Sequence, residues 1–312
     1  MKFKVLFLKK KYIYCFLLFL LLIILFIIFT ATKNTSAALN TVNENKVIKA
    51  DLNGDGTEDN LIITVDKMNY NITASIGNKN YNLVPSSQIN TLGEYNSHWP
   101  LKVTIMDASR DKTPEIFIQS SYKNQAIVQV FNWTNNGFNN VYFGKNDIIG
   151  FVDYKNNRTP KLIFTNSTSD KFNFNNFIFL NKNLQKFNYS YNDNFMGKDT
   201  VYYFIKYIES LPHGESVKPL NIYYPGLSGK DLSVIGKLSG ENNLYNFQDG
   251  IFMDTQWNKD GEVSQIKWVL NFKGVSKVNN ENVKNYTLTI LLKPDGNKDA
   301  ACYYKIYSIS LK

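Results

Sequence analysis

One oxygen-rich pattern occurs three times in this chain, each time leading into an apolar, β-rich run, and that recurrence constrains the fold more than any other feature. The first copy is Asp51-Leu52-Asn53-Gly54-Asp55-Gly56-Thr57-Glu58-Asp59, followed at once by Leu61-Ile62-Ile63. The second runs from Asp107 through Ser109, Asp111, Lys112 and Thr113 to Glu115. The third runs from Asp153 through Lys155, Asn157, Arg158 and Thr159 to Lys161. The copies start 56 and then 46 residues apart, a period that suits a four-stranded propeller blade. Alternating segments such as 61–65, 70–76, 126–133 and 177–180 predict half-buried strands between them, and Asn135-Asn136-Gly137 predicts a hairpin turn.

The first copy has the spacing of a hard-cation loop. Oxygen side chains stand at positions 1, 3, 5 and 9, with a glycine at position 6 for the sharp bend. Asp51, Asn53, Asp55, the Thr57 carbonyl and Asp59 are therefore the expected ligands of Ca²⁺, the one cofactor the sequence suggests. An EF-hand is excluded because its bidentate position 12 is Ile62. The competing reading is a plain surface turn, since Asn, Asp and Gly favour such bends without any metal. The pattern resembles the short D-x-N-x-D-G-x-x-D loop of FG-GAP and VCBS-type repeat proteins. That resemblance implies a loop between two strands of a propeller-like blade, and implies no substrate.

The other copies keep the shape and lose the chemistry. Lys112 replaces the glycine in the second, which would force a bulky residue into a strained backbone angle. In the third, Lys155 and Lys161 occupy ligand positions, so that bend is expected to be metal-free, with Lys161 pairing with Asp153. Three blades are too few to close a propeller. The expectation is an incomplete propeller-like array of three four-stranded blades over 46–192. The segment 93–100, with His98 and Trp99, interrupts the first repeat, either as a ligand loop or as an aromatic packed on the nearest blade.

Beyond the repeats the period changes. Asp199 is placed to cap a helix carrying Val201, Phe204, Ile205, Ile208 and Leu211, and a weaker helix is expected over 231–238. Strands then follow at 251–257, 263–272, 286–292 and 302–311, so a small, separate α+β domain is predicted over 193–312. Its element order is only loosely similar to NTF2-like or cystatin-like folds.

At the other end, residues 1–11 form a basic tail with Lys2, Lys4, Lys9, Lys10 and Lys11, and 12–29 carry no charge. This predicts a transmembrane helix over 12–31, a linker over 32–45, and a fold facing outward from a cell membrane on a signal-anchor. The net charge of +9 includes those five lysines, leaving +4 for the rest, and nucleic acid is excluded as a partner. The expected partners are the lipid bilayer and a cell-envelope or protein component. Cys15 and Cys302 are too differently placed to form a disulfide. No nucleophile, zinc or phosphate-loop motif occurs. The function expected is a calcium-stabilised binding or display module at the cell surface. The alternatives are a hydrolase acting on polysaccharide through a carboxylate pair, and a structural accessory of a membrane complex.

Overall fold

The computed structural model describes residues 9–31, 39–153, 160–166, 172–212, 219 and 221–312, without the side chains of 13 and 25–31. Contacts divide the chain into two units, Met1–Ser36 and Ala37–Lys312. Among the described residues the first unit contains one helix, α1 (Lys10–Ala31). Among the described residues no helix is long and apolar enough to cross a membrane. This corrects the expected transmembrane anchor, and with it the signal-anchor and the single-pass, outward-facing location.

Among the described residues the second unit is built from three sheets, none of them closed. Strands β1 (Leu39–Val42), β2 (Lys46–Ala50), β3 (Asp59–Asp66), β4 (Asn69–Ile76) and β5 (Lys79–Asn82) come first. Then follow β6 (Leu101–Met106), β7 (Glu115–Tyr122), β8 (Gln125–Thr134) and β9 (Gly137–Gly144). The chain continues with β10 (Ile148–Val152), β11 (Lys161–Asn166), β12 (Asn173–Leu180) and β13 (Asn183–Phe187). Helices α2 (Lys198–Ser210) and α3 (Gly229–Gly240) precede β14 (Asn243–Trp257), β15 (Val263–Ser276), β16 (Val283–Pro294) and β17 (Tyr304–Leu311). The sheet orders are β2-β3-β4-β5, β1-β6-β7-β8-β9 and β13-β12-β11-β10-β14-β15-β16-β17.

The three oxygen-rich bends therefore join β2 to β3, β6 to β7 and β10 to β11, each between the first two strands of an antiparallel meander. Two features overturn the expected fold class of separate blades followed by an independent α+β domain. Residues 39–42, expected in the linker, add β1 to the edge of the second meander. The third meander is not a free blade, because β10 pairs in parallel with β14, Ile148 opposite Gly250 through Phe151 opposite Met253. The meander and the C-terminal strands thus form one eight-stranded sheet.

The sheets pack face to face, and strand alternation shows how. On β7, Ile116 and Ile118 join the core shared with Leu61, Ile63 and Ile72 of the four-stranded sheet. Phe117, between them in sequence, points the other way, into the core holding Ile149 and Phe151 of β10. The same division recurs on β14, where Ile251 and Met253 face that second core while Phe252 faces the helices. Strands buried on both faces lose the apolar–polar alternation of a half-buried strand, which is why 116–118 and 126–131 are apolar almost throughout.

Helix α2 begins at Lys198 after Gly197, which takes φ +72°. Asp199 is not the cap: it lies in the first turn, where its carboxylate accepts the N–H groups of Thr200 and Cys302. Val201, Phe204, Ile205 and Ile208 pack beneath Trp268 and Phe252. On α3 the cap is Ser228, which accepts the Asp231 N–H.

Candidate functional site

In the first bend the oxygen side chains are turned onto the backbone of the bend itself. The Asp51 carboxylate accepts the N–H groups of Gly54 at 2.7 Å and Gly56 at 2.9 Å. Asn53 accepts the Asp55 N–H at 3.0 Å, and Asp55 accepts both the N–H and the hydroxyl of Thr57. Asp59, only 3% exposed, accepts the Leu52 N–H at 3.0 Å. Gly54 and Gly56 adopt φ +80° and +86°, which aims successive N–H groups at Asp51. Hydrogen bonds from Thr57 and Asn53 hold the Asp55 carboxyl below the usual range. Burial raises Asp59, with the charges of Asp55 and Asp51 adding to the effect.

The second bend repeats this scheme with other residues. Lys112 N–H donates to Asp107 at 3.1 Å as Gly56 does to Asp51, and Thr113 N–H to Asp111 at 2.9 Å as Thr57 does to Asp55. Ala108 N–H donates to Glu115 at 2.8 Å as Leu52 does to Asp59. Arg110 and Lys112 take φ +64° and +72°, so the lysine does enter the left-handed region the sequence required of it. Glu115 is 2% exposed, and burial lifts its carboxyl to about 7 despite hydrogen bonds from Ser109 and Ala108, with the Asp107 charge adding to the rise.

The two bends touch. A Cβ on Gly54 would stand 2.9 Å from the Lys112 carbonyl oxygen and from the Thr113 hydroxyl, so the close approach itself demands glycine. Of the third bend, Lys155, Asn157, Arg158 and Thr159 lie outside the described residues, as does His213. Asp153 N–H donates to Asp254 at 2.8 Å, and the Lys161 ammonium lies 5.9 Å from the centre of the Tyr189 ring.

The donor set of the first bend is the hard-oxygen chemistry Ca²⁺ takes, but its geometry is not a gathered cage. Among the described residues no three His, Cys, Asp or Glu side chains are grouped to hold a metal. The preformed calcium cage expected from spacing alone is corrected accordingly: these residues are not gathered into one. What Asp51, Asn53, Asp55 and Asp59 hold here is the bend itself, with Thr57 as one of its donors.

A second constellation links the five-stranded and eight-stranded sheets, and motif reading missed it. Lys102 of β6 is 2% exposed and Asp249 of β14 is 0% exposed; their charged ends lie 2.7 Å apart. The Trp99 indole donates to the same Asp249 oxygen at 2.6 Å, and Asn271 donates to the other at 2.7 Å. Thr287 then donates to Asn271 at 2.6 Å. Burial pushes the Lys102 ammonium down, and Asp249 opposes that shift. Within the segment 93–100, Trp99 does not rest on its own blade alone: it reaches across to β14. The legible signal was a lysine within the apolar run 101–106. Nearby, half-buried His98 is lowered by burial and by Lys273.

Compared with known protein families, with characterised proteins and with solved structures, the chain matches none. The fold and these constellations alone define it as a stacked β-meander protein with backbone-gripping acidic bends.

Proposed function

We propose that the chain is a rigid β-repeat module that binds or presents a polymeric partner rather than transforming one. One observation carries this reading: the sheets are bolted together by a fully buried, hydrogen-bonded ion pair between Lys102 and Asp249, while two bends are held in contact at Gly54. Such a pair adds little net stability over apolar residues and is costly to break, which suits a scaffold of fixed geometry. The likeness of the first bend to FG-GAP and VCBS-type loops supports the same reading.

The hydrolase alternative needs an acid with a raised pKa that a substrate can reach. Glu115 has the raised pKa beside Asp107, but its 2% exposure seals it inside the bend. Calcium belongs to the proposal as a ligand of the first bend and not as a condition of folding, because the carboxylates already satisfy the backbone without it.

Retention of the purified chain on insoluble polysaccharide and on immobilised protein fractions, with release of reducing ends measured in parallel, tests the reading. Retention without release is expected. Release of reducing ends would favour a hydrolase, and retention on neither material would leave a structural accessory.

A further inference from the structure

The last three strands of the eight-stranded sheet bury their two faces unequally. Along β16, Leu288, Ile290 and Leu292 are 0% exposed and belong to the core under the helices. The alternate residues Thr287, Thr289, Leu291 and Lys293 are only half-buried, and Leu291 joins none of the apolar cores among the described residues. In register with Leu291 stand Lys267 on β15 and Ser308 on β17.

Three lysines share this open face. Lys293 lies two positions beyond Leu291, so it and Lys267 are diagonal neighbours, about 7–8 Å apart at Cα. Lys273 follows further along β15, opposite Asn285 and roughly 20 Å from Lys267 at the rise of an antiparallel strand. Both β15 lysines are half-buried, and none of the three has a carboxylate partner among the described residues. The acids that border the face are engaged with other lysines: Asp249, opposite Asn271, with Lys102, and Asp295, just past the end of β16, with Lys305. Like charges placed as neighbours on a sheet repel one another. The face is thus an apolar spot flanked by cations that nothing in the fold answers.

We infer that this face docks an acidic, amphipathic segment of a partner protein. Leu291 receives an apolar side chain, Lys267 and Lys293 take the carboxylates beside it, and Lys273 takes one further along. The roughly 20 Å between Lys267 and Lys273 exceeds what one small anion spans. Nucleic acid binds an open groove by stacking bases on aromatic rings, but the Tyr307 ring beside Lys293 already holds that ammonium 4.0 Å from its centre, and its hydroxyl accepts the Gln265 amide. A second copy meeting face to face would set lysines against lysines. The inference rests on the binding-module reading and names its partner class.

The test titrates the full chain with a labelled synthetic peptide that alternates glutamate with leucine and serine. The same peptide with glutamine for glutamate, and a single-stranded oligonucleotide, are the controls. The acidic peptide is expected to bind, more weakly as salt rises, and neither control to match it. Lys267→Gln combined with Lys293→Gln weakens binding by about tenfold. The corresponding pair of arginine substitutions keeps the charges and binds like the parent, as does Lys49→Gln on the four-stranded sheet; near-ultraviolet circular dichroism is expected to match the parent throughout. The inference is overturned if the acidic peptide does not bind, if the glutamine peptide or the oligonucleotide binds the parent as tightly, or if the double glutamine variant binds like the parent. Retention on protein fractions that is unchanged in that variant would remove this face and leave the module. Retention on neither protein nor polysaccharide would remove both.

Discussion

The first and second bends share a hydrogen-bonding scheme and almost no residues beyond the aspartates at positions 1 and 5 and the threonine at position 7. In the first, glycines supply the left-handed positions and the closing acid is Asp59. In the second, Arg110 and Lys112 take those positions and the closing acid is the longer Glu115. The backbone N–H groups of a tight bend must be paired whatever the side chains are, so the scheme outlasts the composition that a metal would need. The flanking charges differ more. Lys49 pairs with Glu58 beside the first bend at 3.6 Å with both side chains mostly exposed, whereas Lys102, on the strand leading to the second, is buried against Asp249.

The largest test of that contrast replaces the two lysines. Lys102→Met leaves Asp249 charged and without its cation, and urea unfolding is expected to show a loss of about 3–5 kcal/mol. Adding Asp249→Asn recovers part of it, because the amide oxygen still accepts the Trp99 indole. Lys49→Met changes stability by less than about 1 kcal/mol. Equal effects would erase the distinction.

The next effect is in pH. The folded Glu115 carboxyl titrates near 7, above its ordinary 4.5, so its contribution is fully present below pH 4.5 and is lost as pH rises to about 7. The loss amounts to about 3 kcal/mol. Glu115→Gln is expected to flatten the stability profile between pH 4.5 and 8, measured by denaturant midpoints. A slope unchanged in that variant would place the titration elsewhere, with Asp59, also raised by burial, the next to replace.

Calcium separates the bends less strongly. At ten times its dissociation constant, a single bound ion adds about 1.4 kcal/mol. Calorimetry is expected to show a shift of that order that disappears in Asp51→Asn and survives in Asp107→Asn, with the chain remaining folded in chelator. Unfolding on chelation, or dependence on Asp107, would reverse the assignment. The smallest effect is conformational: Lys112→Gly relieves a left-handed lysine and is expected to stabilise by roughly 1 kcal/mol in thermal melts. The reverse change, Gly56→Lys, is expected to cost about the same. Nothing lies within 4 Å of a Cβ at Gly56, so that cost comes from φ alone.

The sequence by itself determined where the bends fall, because Asp, Asn, Gly and Thr at fixed spacing satisfy a turn locally, within nine residues. It also determined most strands and both C-terminal helices, whose periodicities are local. It did not contain the joins. That β1 completes the second meander, and that β10 runs parallel to β14, depends on residues about 60 and 100 positions apart finding one another, and no local pattern encodes such a partner. The Lys102–Asp249 pair is the sharpest case. Each charge looks misplaced in its own strand, and only burial of the two sheets against each other makes them neighbours, where separating them would leave an unpaired charge in an apolar core.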